Sequence, residues 1–230
     1  MLDASSHFVD KIMSRFLFLL WFLLCWFSSS SLTVQAQPTG DWHLEKDKDQ
    51  IQVYSRHVAG SRLTELKVEC TLPGTQSQLV ALLSDIANYK KTIYKTKSAY
   101  LVRRTSETQL TYHIINELPW PVEDRDLTIQ MTFAQDPASK LLHIRAVGVP
   151  NVVPVQTGIV RVADWLAVWQ VRSVGRRNLQ VTYTCRVDPG GSIPAWLDNL
   201  AAATSAYRSF VLIRESLPQY QGKTFSFLRD

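Results

Sequence analysis

The sequence predicts an α+β domain in which a curved antiparallel sheet closes around a long C-terminal helix. Three observations lead there. Between about residues 41 and 187, apolar and polar residues alternate in segment after segment, with short turns between them. No helical crossover of the kind a parallel sheet requires separates most of these segments. After Asp188-Pro189-Gly190-Gly191-Ser192 the period changes, and residues 193–217 place apolar side chains at steps of three and four. One-sided strands joined by turns make an antiparallel sheet with one buried face and one wet face. The 230 residues suffice for one domain and an export segment.

The export segment comes first. Residues 16–27 are an unbroken apolar run preceded by Lys11 and Arg15, followed by serines and then by Val34-Gln35-Ala36. A charged start, an apolar middle and a small-residue exit read as a secretory signal cleaved near Ala36. About a dozen apolar residues fall short of the roughly 20 that span a bilayer. An uncleaved anchor is the alternative, and Met13 is an alternative start. Either way the domain is expected to work in the periplasm or outside the cell. Residues 37–40 then form a linker, 41–220 the domain, and 221–230 a C-terminal tail.

Segments 41–45 and 51–57 flank the polar turn Asp47-Lys48-Asp49-Gln50 and read as a hairpin or bent strand. In 63–72, Leu66, Val68, Cys70 and Leu72 share a face. Pro73-Gly74 ends that strand, and Thr75 can cap a helix reaching about Tyr89, with Leu79, Leu82, Leu83 and Ile86 as its apolar stripe. Strands follow at 98–103, at 109–118 with Leu110, Tyr112 and Ile114 on one face, and at 126–133 with Leu127, Ile129, Met131 and Phe133 on one face. After Asp136-Pro137 the chain returns along 140–147. The valine-rich stretch 148–158 carries Pro150 and Pro154 and reads as a loop. Strand 163–174 aligns Trp165, Ala167, Trp169 and Val171, and strand 179–187 aligns Leu179, Val181, Tyr183, Cys185 and Val187. Pro194 suits the first turn of the last helix. That helix sets Ile193, Leu197, Leu200, Thr204, Tyr207, Val211 and Arg214 along one line, widened by Trp196, Ala203 and Phe210. At 1.5 Å per residue it runs about 35 Å, the length of a sheet.

The net charge is +5 and the isoelectric point about 9.2. This suits contact with anionic head groups, and Lys90, Lys91, Lys95 and Lys97 with Arg103 and Arg104 form a candidate patch. No zinc knuckle, helix-turn-helix or aromatic RNA motif is visible, so nucleic acid is not an expected partner. Cys70 and Cys185 lie in strands. They could pair in an oxidising compartment or stay as small buried hydrophobes.

The sheet's inward face carries Trp, Tyr, Phe and Met, while the helix opposite has Ala201, Ala202 and Ala203 at its centre. Small residues there leave room for an apolar ligand, and ligand sites are concave and mostly apolar. The same residues could instead fill a solid core, and the pattern leaves both readings open.

Two motifs favour the first. Leu118-Pro119-Trp120-Pro121-Val122-Glu123-Asp124-Arg125-Asp126-Leu127 resembles the P-x-P-x-x-x-R-D segment of START domains, the steroidogenic-acute-regulatory-related lipid-transfer family. Asp188-Pro189-Gly190-Gly191-Ser192-Ile193-Pro194-Ala195-Trp196-Leu197-Asp198-Asn199 is similar to that family's D-P-x-G-x-I-P-x-x-L-x-N lead into the final helix. Trp42 and the segment Ile51-Gln52-Val53-Tyr54-Ser55-Arg56 resemble its first strands. The resemblance runs from about residue 40 to 220. It implies a helix-grip fold of the START and Bet v 1 type, with roughly nine strands around the helix, one lipid in an internal tunnel, and no catalytic residues. The ligand would be a sterol, phospholipid or similar lipid, held for transfer or sensing.

The residues expected to line the tunnel are Tyr112, Ile114, Arg125, Met131, Trp165 and Trp169 from the sheet. From the helix they are Trp196, Leu200, Ala203, Thr204, Tyr207 and Val211. Arg125 and Asp126 are adjacent in a strand and so point to opposite faces. The one facing inward either anchors a lipid's polar group or ties the strand to a loop or to the final helix, because a buried charge needs a partner. The alternative is an enzyme on the same scaffold, like polyketide cyclases and aromatases, using His113, Glu117 and Arg125. No Ser/His/Asp order, phosphate loop or metal motif supports it. No cofactor is expected, and the domain is expected to act as a monomer with a lipid ligand and transient contact with an anionic membrane.

Overall fold

A computed structural model describes residues 41–57, 64–191 and 195–229, with the side chains of 64 and 195–201 left out. The expected export segment lies outside these residues. Ten strands are described: β1 His43–Lys48, β2 Ile51–His57, β3 Thr64–Pro73, β4 Thr96–Ser106, β5 Gln109–Asn116, β6 Asp124–Gln135, β7 Leu142–Gly148, β8 Ile159–Arg161, β9 Trp165–Val174 and β10 Asn178–Val187. Three helices accompany them: α1 Gln76–Ser84, α2 Tyr89–Thr92 and α3 Ala195–Ser216.

The strand order is β1-β2-β3-β10-β9-β7-β6-β5-β4, antiparallel throughout, with β8 added beside β6. Beyond β7's last pairing with β6, at Ile129↔Gly148, β8 takes the same edge at Asp124–Asp126. It does so in parallel. The sequence reading had no β8, because Pro150 and Pro154 make its approach a loop and only three residues pair. The crossover is supplied by β7 and that loop rather than by a helix.

The alternation expected of each strand is realised. Leu66, Val68, Cys70 and Leu72, then Leu110, Tyr112 and Ile114, then Leu127, Ile129, Met131 and Phe133 are all buried on the concave face. The β1–β2 turn is only Asp49-Gln50, both with positive φ (53° and 59°), the geometry of a tight two-residue hairpin.

Thr75 caps α1 as expected: its hydroxyl accepts from the Gln78 amide while the Gln78 side chain accepts from the Thr75 amide, a reciprocal cap contributing about 1 kcal/mol. The helix stops at Ser84 rather than near Tyr89. The Asp85 carboxylate accepts from Asn88 Nδ2 at 2.7 Å and from the Tyr220 hydroxyl at 2.9 Å, so the chain leaves the α conformation there. A 3-10 turn, Ile86–Asn88, and then α2 carry it to β4.

Along α3 the buried line runs Ala203, Tyr207, Phe210, Ile213 and, just past its end, Leu217. The expected line through Thr204, Val211 and Arg214 lies at its half-buried edge, so Phe210 is central rather than flanking. The helix packs on β1, β2 and β3 and touches α2. The segment 221–229 is not a loose tail. Phe225, Phe227 and Leu228 pack against the core, and Arg229 exchanges backbone bonds with the Gln135 side chain.

Both described cysteines are free. In the β3–β10 register Cys70 faces Val181 and Cys185 faces Leu66. The thiols therefore stand four residues apart along the strands, about 13 Å, beyond the reach of a disulfide. Burial pushes their pKa values up to about 12 and about 11, so both stay protonated.

Candidate lipid-binding site

The registers arrange the concave face in rows that cross the sheet. One row carries Phe133, Ile144, Trp169, Tyr183, Val68 and Val53. Trp169 and Tyr183 meet edge to face at 4.8 Å, and Phe210 of α3 closes on both at 5.1 and 5.5 Å. This aromatic cluster joins helix to sheet. The next row, nearer the start of α3, is different in kind: Met131, Ala146, Ala167 and Cys185 are mostly small. Gly148 follows, and a methyl on it would press on the Ala163 carbonyl at 3.2 Å. Two turns before Phe210 along α3, about 10 Å, stands Ala203. Ala203 is itself small and buried. The small row is buried, and Trp165 and Val187, one step beyond it, are half-buried.

Of the residues expected at the site, Tyr112, Ile114, Met131 and Trp169 are buried on this face, and Trp165 is half-buried on it. Tyr112 meets Tyr89 edge to face, which places it under α2. Ala203 is buried, with Thr204 and Val211 half-buried beside it. Tyr207 looks towards the first hairpin: its hydroxyl donates to Asp49 Oδ2 at 2.5 Å and its ring lies under Lys46 Nζ. Trp196 and Leu200 belong to α3, but their side chains lie outside those described. Tyr183 and Phe210 were missing from the expected set, although the two-residue and seven-residue periods running through Val181 and Ala203 point to them.

Arg125 faces inward and Asp126 outward, and they do not pair with each other. The Arg125 guanidinium donates to the carbonyls of Glu123, Pro189 and Gly190. It therefore ties β6 to the lead-in of α3. Gly190 and Gly191 sit there at φ +64° and +61°, and a Cβ on Gly191 would stand 3.4 Å from the Arg125 Nη2. Glycine gives the chain this turn without steric cost.

Asp126 anchors a polar cluster on the convex face. Arg161 of β8 grips it with two bonds, 2.8 and 2.7 Å, and donates further to the carbonyls of Pro150, Val153 and Pro154. These carbonyls roof the cluster. His113, expected towards solvent or a neighbouring strand, is off the apolar face as its phase implies but fully buried. Its Nδ1 is 3.0 Å from the Thr128 hydroxyl, its Nε2 is 3.6 Å from Asp126, and the Tyr100 ring covers it.

Burial holds the His113 imidazole below its ordinary pKa. The Arg161 charge acts the same way and Asp126 opposes both. As pH falls below about 6.5, the unfolded chain takes up this proton before the folded one does. Stability from His113 is thus present above that pH and is lost as the pH drops towards the lowered folded value, with a slope of at most about 1.4 kcal/mol per pH unit. Urea midpoints between pH 7.5 and 5 should fall less steeply in His113→Gln than in the parent, whereas parallel curves would contradict a neutral buried His113.

A catalytic reading needs His113, Glu117 and Arg125 together. The fold separates them: His113 is on the convex side, Glu117 is in the β5–β6 loop 3.6 Å from Lys95, and Arg125 is on the concave side. No group of three or more metal-ligating side chains occurs among the described residues.

The family model for the START domain matches residues 32–215. An uncharacterised protein of Pseudomonas aeruginosa is 31% identical over 160 residues, covering 69% of this chain and 78% of its own. Human phosphatidylcholine transfer protein is 25% identical over 182 residues, covering 77% and 84%. The solved structure of a STAR-related lipid transfer protein from Xanthomonas axonopodis superposes with a TM-score of 0.71 at 29% identity, over 78% of this chain and 100% of that one. Human STARD10 shares the fold, with a TM-score of 0.67 at 20% identity over 78% and 74%. Helix-grip architecture, the two motifs on β6 and at the start of α3, and a family match across most of the domain agree: the chain belongs to the START domain family.

Proposed function

We propose that this chain binds one lipid between the sheet and α3, without covalent chemistry, and transfers or senses it outside the cytoplasm. The observation that carries the reading is a START fold whose concave face holds a row of small side chains, Ala146, Ala167 and Cys185, and whose last helix buries the small Ala203. Small residues on both walls favour a guest over self-filling. Each guest methylene buried contributes roughly 0.8 kcal/mol, so an acyl chain is held firmly by burial alone. Relatives named as lipid-transfer and phosphatidylcholine-transfer proteins support the same reading. The apolar leader and Val34-Gln35-Ala36 support export.

Exchange requires contact with a bilayer, and the rim at the start of α3 suits it. The loops that lead into β6 and β8 emerge together, because Asp124 pairs with Ile159. They carry Trp120, 92% exposed, with Val152 and Val155 also exposed. The turn into β4 at the same end bears Lys95 and Lys97, and α2 adds exposed Lys90 and Lys91. An aromatic and aliphatic tip flanked by cations matches an anionic membrane interface.

Native mass spectrometry of the purified full chain is expected to show one lipid's excess mass that organic extraction removes. A protein that carries no lipid and takes up neither fluorescent phospholipid nor fluorescent sterol from vesicles would end this reading.

A further inference from the structure

The sheet has a step at the end of its first hairpin. β2 begins at Ile51, opposite Cys70, whereas β3 runs on through Thr71 to Pro73 against β10. Beside this overhang stands the β1–β2 turn, Asp49-Gln50. The Arg214 guanidinium of α3 bridges the notch between them. It donates to the Asp49 carbonyl at 2.7 Å and to the Thr71 carbonyl at 3.3 Å. The Asp49 carboxylate accepts from the Tyr207 hydroxyl of the same helix. Both sides of the notch are therefore fixed before a ligand arrives, which lowers the ordering cost of binding.

Two cavities open from the notch and share Gln50 and Thr71. One, about 480 Å³, lies along the convex face between Asp47, Gln52, Glu69, Gln180 and Thr182. The other, about 380 Å³, lies at the sheet's end beside Pro73, Asn178 and Arg214. Both volumes are those of small-ligand sites. Cys70 and Val181 also border the first, but their side chains are buried on the opposite face of the sheet. The convex cavity and the lipid interior are thus separated by the sheet itself.

The lining is unlike that of a lipid site. It brings together the carboxamides of Gln50, Gln52, Asn178 and Gln180, the hydroxyls of Thr71 and Thr182, the carboxylates of Asp47 and Glu69, and the Arg214 guanidinium. Carboxamides and hydroxyls both donate and accept, carboxylates accept, and the guanidinium donates. Asp47 accepts from Gln52 at 2.9 Å and Gln52 accepts from Tyr54 at 3.1 Å, so this wall is braced. The side chains of Gln50, Thr71, Asn178, Gln180 and Thr182 hydrogen-bond to no other described residue and are open to a ligand. Asp47 and Glu69 repel a phosphate or sulfate. Arg214, and Lys67 at 3.1 Å from Glu69, offset the attraction of those carboxylates for a cation.

We infer that this trough binds a neutral oligosaccharide, with one sugar ring on the convex face and the next past Gln50 at the Arg214 end. A sugar hydroxyl donates and accepts at once, which is what walls of mixed carboxamides, carboxylates and hydroxyls require. Two cavities meeting at a shared turn suit joined rings. The ligand is a second one, on a different face from the lipid, and the inference does not rest on the lipid reading.

The test titrates the full chain, isotope-labelled in nitrogen, with chitotetraose, cellotetraose and maltotetraose. Sialyllactose and hexaglycine serve as an anionic sugar and a peptide. One or more of the neutral tetrasaccharides should bind at millimolar or lower concentration and shift the side-chain amide signals of Gln50, Asn178 and Gln180. Gln180→Ala and Glu69→Gln should each weaken that binding about fivefold, the loss of one hydrogen bond. Tm and uptake of fluorescent phospholipid should stay at the parental level in both. No binding of any of the three neutral sugars, or binding that both variants leave at parental strength, overturns the site. Tighter binding of sialyllactose or hexaglycine overturns the neutral-sugar assignment. Phospholipid uptake that falls together with sugar affinity overturns the separation of the two sites.

Discussion

Ala203→Trp is expected to abolish most lipid uptake while the protein stays folded. Ala203 is buried on α3, two turns nearer the start of the helix than Phe210, and the concave sheet row of Ala146, Ala167 and Cys185 is likewise small and buried. An indole placed there occupies the volume an acyl chain would use. Displacing even two or three methylenes from the interior removes about 2 kcal/mol, roughly thirtyfold in Kd. The opposite situation is equally readable. If the space were filled by the protein's own side chains, the indole would overpack a core, which costs typically 1–3 kcal/mol of stability and occasionally more. Vesicle-uptake titration and thermal unfolding of the same sample separate the two. Lost uptake with a near-parental Tm is the expected pair, and unchanged uptake would show that the helix centre does not line the site.

Asp126→Ala is expected to be the most destabilising single change. Asp126 is 0% exposed and meets a bidentate guanidinium from Arg161, which is itself largely buried. Removing one partner of a buried pair leaves the other charge uncompensated, a loss of about 3–5 kcal/mol. The damage should spread, because Arg161 also gathers the carbonyls of Pro150, Val153 and Pro154 over the convex face. Arg161→Met should cost comparably, and the double variant much less than the sum, because both singles break the same pair. Urea unfolding with an unchanged m-value is the measurement, and a loss under 1 kcal/mol for Asp126→Ala would show that the pair is not what holds the loop.

The convex cluster also marks where sequence reading stops. His113 and Asp126 are visibly out of phase with Ile114 and Leu127, so they were legible as non-core. Their complete burial was not, because it depends on residues 149–158 folding back over the sheet. Three pairs from β8 and the five donors of Arg161 bring that about, and neither leaves a periodic trace. Arg125 shows the same division. Its phase predicted an inward charge, and both an anchor and a tie were foreseen. That it ties three carbonyls follows only from Pro189 and Gly190 lying beside it, some 64 residues along the chain. The helix line was misplaced by about one residue because 203, 204, 207, 210 and 211 all carry plausible side chains. Packing against Trp169 and Tyr183 chose among them.

Strands, turns, the Thr75 cap, the final helix and the family itself are written in neighbouring residues, because a two-residue or 3.6-residue period and a cap are local physics. Register is not local. It alone sets Ala146, Ala167 and Cys185 in one row and keeps Cys70 from Cys185. Each depends on which distant backbone supplies the hydrogen bonds, and that choice is made only when the sheet assembles around its helix.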